Sequence, residues 1–170
     1  MRCAGFTLLE VLVALFVAAL GIAGAAGLQT LALRTEQEAL RLSEGARLLA
    51  SLAERMRANP AAMALGDAAN PYLALDYDAA AGPPAPAALC YAAACDAAGL
   101  ARFDLFETAQ AVAARFPGGR ILVCRDGNPE PAWACAGAAG APLVAKLGWR
   151  EAGADAAMPR LRLMLDGAAP

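Results

Sequence analysis

The sequence predicts an α+β protein, one long N-terminal α-helix packed on a small antiparallel β-sheet domain. Three observations lead there: no charged residue lies between Glu10 and Arg34, no proline precedes Pro60, and three short strand-like segments follow in the distal half. A chain of 170 residues has room for one compact domain plus an extended element and too little for two ordinary domains.

The apolar run, Val11 to Leu33, reads VLVALFVAALGIAGAAGLQTLAL. A helix needs about 20 apolar residues to cross a bilayer core, and the block from Val11 to Leu28 with its flanks meets the lower end of that range. Met1 and Arg2 supply the positive features ahead of it, which places the N-terminus on the cytoplasmic side and the distal half outside the cytoplasm. A cleaved secretory signal, a plain membrane anchor and a buried core helix compete for such a stretch, and Ala23-Gly24-Ala25 has the small residues of a signal cleavage site. Glu10 counts against all three. A carboxylate beside the membrane core costs roughly a few kcal/mol, so it needs a partner or a function, and no lysine or arginine follows until Arg34.

The stretch Gly5-Phe6-Thr7-Leu8-Leu9-Glu10-Val11-Leu12-Val13-Ala14 closely resembles the class III signal of type IV pilins and their relatives, G-F-T-L-x-E followed by a hydrophobic run. The resemblance implies a type IV pilin-like fold, a cut by prepilin peptidase between Gly5 and Phe6, and methylation of the new N-terminal Phe6. Glu10 is then the fifth mature residue. Its carboxylate answers the cationic α-amine of Phe6, one helical turn away or on a neighbouring subunit, and breaking such a buried pair is costly because one charge is left uncompensated. The implied organisation is a leader over 1–5, a membrane-spanning and filament-core helix over 6–28, the amphipathic half of the same helix over 29–59, and a periplasmic globular domain over 60–170.

Nothing forces a helix beginning near Phe6 to stop before Asn59, and at a rise of about 1.5 Å per residue it would reach about 80 Å. In its second half Leu28, Leu31, Leu42, Leu49 and Met56, with Thr35, Ala39, Ala46 and Ala53, form one stripe at three-and-four spacing. Arg34, Glu36, Glu38, Arg41, Glu44, Arg47, Glu54, Arg55 and Arg57 take the other faces, the last of them suiting a solvated final turn. Gly21, Gly24 and Gly27 lie three residues apart, where glycine permits close helix approach and also weakens the helix. In the family resembled, the first half makes subunit contacts and the second packs on the domain. Many members carry a proline in this region; this chain carries none, so local melting on assembly falls to the glycines.

After Asn59-Pro60 the texture turns to alanine, glycine and proline, with Pro71, Pro83, Pro84 and Pro86 marking an irregular connection anchored by Tyr72, Leu73, Leu75 and Tyr77. Leu100, Phe103, Phe106, Ala109 or Gln110, Ala113 and Phe116 recur at helical spacing before Pro117-Gly118-Gly119, which predicts a second helix with an aromatic core face. Strands are predicted over Arg120 to Arg125, Leu143 to Arg150 and Arg160 to Asp166, the first ended by Asp126-Gly127-Asn128-Pro129. Laid on the amphipathic half of the long helix, they complete the α+β arrangement.

Cys3 stands alone near the N-terminus, while Cys90, Cys95, Cys124 and Cys135 form an even set in the exported half, as disulfides require. The short intervals favour Cys90 with Cys95 and Cys124 with Cys135 among three pairings. A zinc site is the competing reading, but Cys-x4-Cys and Cys-x10-Cys are not the usual short knuckles. The chain has no histidine, so the commonest general base and metal ligand is missing. No cofactor or metal is expected. A formal charge of -2 announces no nucleic-acid partner, and Arg120, Arg125, Arg150, Arg160 and Arg162 read as scattered solvated residues rather than a DNA-binding cluster.

Within the superfamily, GFTLLEVLVALFV with GLQTLALR, the helix end ERMRANP, Phe103-Asp104-Leu105 before Phe116-Pro117-Gly118-Gly119, and Leu147-Gly148-Trp149-Arg150 are similar to the PilV group of minor pilins, the type IV pilus modification proteins. The alanine-rich loop from Ala79 to Ala88 departs from that group. The resemblance implies a structural subunit rather than an enzyme, in the inner membrane before assembly and in the surface pilus after it. It would initiate or cap a retractile pilus used in adhesion and twitching. The implied partners are other minor pilins, the major pilin, prepilin peptidase, the inner-membrane assembly platform and a large tip adhesin. A pseudopilin of a type II secretion system is the nearest alternative, and a membrane-anchored periplasmic thiol/disulfide or binding module a more distant one. The flanks of Cys90 and Cys95 offer no basic residue to activate a redox thiolate.

Overall fold

A computed structural model of the chain describes residues 7–91, 93–137, 140–151 and 157–165. The chain divides into two compact units, Met1–Arg41 and Leu42–Pro170, and one helix, α1 (Leu8–Ala58), crosses the division. It ends where the sequence requires. Pro60 disfavours helical geometry at Asn59, and Asn59 turns out of α1 to cap the short α2 (Pro60–Met63), its side chain accepting from the Ala62 N–H at 3.3 Å.

In the second unit the buried residues of α1 are Gly45, Leu49, Leu52, Ala53 and Met56. This corrects the predicted stripe. Leu28 and Leu31 are 71% and 61% exposed and Leu42 is at 36%, while Gly45 and Leu52 belong to the covered face. A glycine carries no apolar side chain to register in a periodicity count, yet it permits the closest approach: a Cβ at Gly45 would lie 2.6 Å from Leu161 Cδ1 and 3.0 Å from Leu147 Cδ2.

The connection after α2 is more ordered than its composition suggests. A 3-10 turn (Pro71–Ala74), capped by Asn70, buries Tyr72, and β1 (Asp76–Asp78) follows, a strand too short for an alternation signal. Helix α3 (Ala97–Arg115) starts three residues before the predicted Leu100 because Asp96 caps it through the Gly99 N–H at 2.6 Å. Its buried face is Ala101, Phe103, Asp104, Thr108, Ala109 and Val112. The predicted aromatic face is core at Phe103, Ala109 and Phe116, while its members Leu100 and Ala113 are exposed and Asp104 and Thr108 sit inside. Gly118 takes φ +54 in the turn that leads to β2 (Arg120–Arg125), a region glycine enters without strain.

With β3 (Leu143–Trp149) and β4 (Met158–Met164), the strands form an antiparallel sheet in the order β1-β2-β3-β4. Register places Ile121 and Leu161 either side of Leu147, and Val123 and Leu163 either side of Ala145. Those side chains, with Leu143 and Trp149, meet Leu49, Leu52, Met56, Tyr72, Val112 and Phe116 in one core.

Every residue of β3 is buried, so its other face is covered too. There the loop between β2 and β3 lies over the sheet. Lys146, 1% exposed, donates from Nζ to the carbonyls of Ala132 at 2.7 Å and Ala134 at 2.9 Å and pairs with Asp126 Oδ2 at 2.6 Å. Asp126 Oδ1 accepts from the N–H groups of Asn128 and Ala136, each at 3.0 Å. Trp133 Nε1 donates to the Ala157 carbonyl at 2.9 Å, and its ring lies beside Gly148, where a Cβ would meet Met158 O at 1.9 Å. The sequence showed Asp126 only as turn chemistry; that it is a buried anion became visible when the strands were paired.

Burial opposes ionisation of Asp126, but Lys146 Nζ and the two N–H donors outweigh it and bring its pKa down to about 2. A carboxyl depressed by folding contributes stability above its unfolded pKa of about 3.9 and loses it as pH falls. Urea unfolding of the full chain in detergent should therefore show stability falling between about pH 4 and the folded value near 2. Asp126→Asn should flatten that slope. Lys146→Met, which strands the carboxylate, should cost about 3–5 kcal/mol at neutral pH. Gly148→Ala places a Cβ against backbone rather than a movable side chain, and its loss in the same assay should be about 3 kcal/mol or more.

Candidate functional site

The described part of the first unit is helix from Leu8 onwards, started by Thr7. The Thr7 carbonyl accepts from the N–H groups of Glu10 at 3.1 Å and Val11 at 3.3 Å, and its hydroxyl accepts from the Glu10 N–H at 3.3 Å. Thr-x-x-Glu is the pattern of a capping box. Glu10 thus stands in the first turn, where the helix dipole favours a carboxylate, a role the sequence reading overlooked although both residues were in the motif. Glu10 is exposed, and no described residue forms an ion pair with it. Cys3, Gly5 and Phe6 lie outside the described residues.

From Leu8 to Leu33 every large apolar side chain is exposed, with Leu8 at 79%, Phe16 at 65% and Ile22 at 71%. The most apolar 18-residue window of α1 has a mean hydropathy of 2.5 and no buried residue, and the helix is long and apolar enough to cross a membrane. The polar interruption is neutralised internally: Thr30 donates its hydroxyl to the Gly27 carbonyl at 2.8 Å. A Cβ at Gly21, Gly24 or Gly27 would meet no heavy atom within 4 Å. Each glycine costs about 1 kcal/mol relative to alanine in a helix interior, and no contact in the described chain uses its small size.

In the second unit a polar network joins the end of α1 to α3. Arg55 donates to Asp104 at 3.0 Å and Glu107 at 2.5 Å. The Tyr72 hydroxyl donates to Asp104 Oδ2 at 2.8 Å and accepts from Asn59 Nδ2 at 3.3 Å. Arg55 is therefore a cross-helix partner and not part of a solvated last turn. Burial opposes ionisation of Glu107, and the bonds from Tyr91 and Arg55 hold its carboxyl below the usual range nonetheless. Burial raises the Tyr72 phenol above its ordinary value. Through these bonds the network ties the end of α1 to α3 and to the turn that carries Tyr72.

The distal arginines are also engaged. Arg120 pairs with Asp76 at 3.1 Å and lies over the Trp133 ring, Arg125 pairs with Asp67 at 3.0 Å, Arg160 pairs with Glu151 over Trp149, and Arg162 donates to the Asp126 carbonyl at 2.8 Å. Scattered solvated arginines was thus the wrong description of these four; carboxylates and backbone distant in sequence occupy them. Cys90 is bonded to Cys95 and Cys124 to Cys135, with Cα separations of 5.7 Å and 6.4 Å. Among the described residues no group of three or more His, Cys, Asp or Glu is arranged to hold a metal ion.

Residues 1–26 match the family model of the prokaryotic N-terminal methylation motif, and residues 27–106 match that of the type IV pilin Tt1218. Searches of curated proteins and of solved structures find no match. The first match spans Gly5, Phe6 and Glu10, and the second takes in the amphipathic half of α1, the connection with β1 and the first half of α3. Two matches that run without a gap from residue 1 to residue 106, joined to a long apolar helix on a small antiparallel sheet, identify the chain as a type IV pilin.

Proposed function

We propose that this pilin is a minor subunit of the PilV group. It is cut between Gly5 and Phe6 by prepilin peptidase, methylated on Phe6, and held in the inner membrane by residues 6–28 until the assembly platform extracts it. In the filament it joins other minor pilins and the major pilin, where it initiates or caps the pilus beneath a tip adhesin. The observation that carries this reading is the carboxylate of Glu10, without an ion-pair partner among the described residues, in the first turn of a helix whose large apolar side chains from Leu8 to Leu33 are all exposed. Such a helix needs lipid or other helices around it, and there the carboxylate needs a cation. The α-amine freed at Phe6 supplies it. Gly21, Gly24 and Gly27 then have a use in the close approach of neighbouring helices.

Terminal sequencing and mass analysis of the mature protein should find N-methylated Phe6 as the first residue. A mature chain that begins beyond Ala25 contradicts the proposal. Glu10→Ala should leave membrane insertion intact and remove one member of a buried pair. That costs about 3–5 kcal/mol, so incorporation into sheared filaments should fall about a hundredfold or more. Deletion of the chain should abolish surface pili and twitching. If it instead leaves exported enzymes in the periplasm, the subunit belongs to a type II secretion filament.

A further inference from the structure

The segment ahead of α3 is tied to that helix by a small set of contacts around one disulfide. Cys90 and Cys95 are bonded and half-buried. Between them, Tyr91 stands edge-on to Phe103, with ring centroids 4.9 Å apart and planes at 87°, and its hydroxyl donates to Glu107 Oε1. The other Glu107 oxygen accepts from Arg55 on α1 at 2.5 Å. A continuous line of bonded groups therefore runs from the disulfide through Tyr91 and Glu107 to the last turns of α1. Little burial supports it, since Tyr91 is 73% exposed. A ring so exposed stays against Phe103 only while its backbone is held there.

The other disulfide is different in kind. Cys124 and Cys135 bracket a loop already fixed by Asp126, which is fully buried and bound to Lys146, Asn128 and Ala136. Breaking that bond leaves the ion pair and its donors in place.

We propose that Cys90–Cys95 is a thiol-responsive clasp, which when bonded holds Tyr91 on Glu107 and steadies the junction of α1 with α3, and when reduced releases the loop without unfolding the sheet. The reductant is a dithiol. Its two sulfurs give up two electrons and two protons, the Sγ–Sγ bond breaks, each cysteine sulfur gains a proton, and the dithiol leaves as its own disulfide. The clasp does not depend on which filament the subunit joins. The Glu107 bond foremost, then burial, raises the Tyr91 phenol above its ordinary pKa, so release has a spectroscopic signature.

The test uses the full chain in detergent with dithiothreitol, following amide exchange by mass spectrometry and tyrosine ionisation by ultraviolet absorbance. Reduction should speed exchange in Ala97 to Glu107 by about tenfold or more while exchange in β2 and β3 stays slow, and one phenol should titrate at lower pH. Tyr91→Phe should exchange fast in that segment with or without reductant and lack the shifting phenol. Cys90→Ser with Cys95→Ser should reproduce the reduced state, and Cys124→Ser with Cys135→Ser should retain the response to dithiothreitol. Exchange and titration unchanged by reduction of Cys90–Cys95 would overturn the clasp, as would loss of protection in β2 and β3 to the same extent as in α3.

Discussion

The globular part is organised by one requirement: β3 has no exposed residue, so its seven residues must be covered from both faces of the sheet. One face is an ordinary hydrophobic problem. Leu143, Ala145, Leu147 and Trp149 present a flat apolar strip, and the helices that cover it bring Leu49, Leu52, Met56 and Val112. Gly45 lets α1 come close enough for the tips of Leu147 and Leu161 to fill the space a side chain would occupy. The other face belongs to a loop rich in alanine, glycine and proline, which has little apolar surface of its own to bury.

That loop is held by charge instead. Lys146 reaches two loop carbonyls and the Asp126 carboxylate, and Asp126 in turn gathers two loop N–H groups. Buried ion pairs recover their desolvation cost only when the remaining donors and acceptors are satisfied; here two loop carbonyls accept from the ammonium, two loop N–H groups donate to Asp126 Oδ1, and Asp126 Oδ2 faces the ammonium charge at 2.6 Å. Trp133 then lies against Gly148, and the Cys124–Cys135 bond ties the loop to β2. The sheet thus has a greasy side and a polar side, each covered by segments distant in sequence.

The same helix that solves half of this problem in the second unit is left unsolved in the first. Its residues from Leu8 to Leu33 expose apolar side chains all round, retain three glycines with no contact to justify them, and begin with a carboxylate that finds no cation among the described residues. None of these features stabilises the isolated chain. They gain a purpose only in an environment of lipid or other helices, which is the setting a pilin subunit occupies before and after assembly.

The sequence by itself determined the elements with strong local signals: the long helix, because nothing breaks it before Pro60; β2 at both ends and β3 and β4 to within two residues, because their runs are long enough to show; and the N-terminal methylation motif, because contiguous residues carry it. Tertiary structure decided what depends on partners far apart in the chain. The strand β1 is three residues long and exists only by pairing with β2. Arg55 looked like a solvated residue until α3 brought Asp104 and Glu107 to it, and Asp126 looked like turn chemistry until β3 delivered Lys146. The buried faces of both helices differ in membership from the predicted stripes for the same reason: periodicity records which residues can be buried, whereas the position of the opposing surface chooses which of them are.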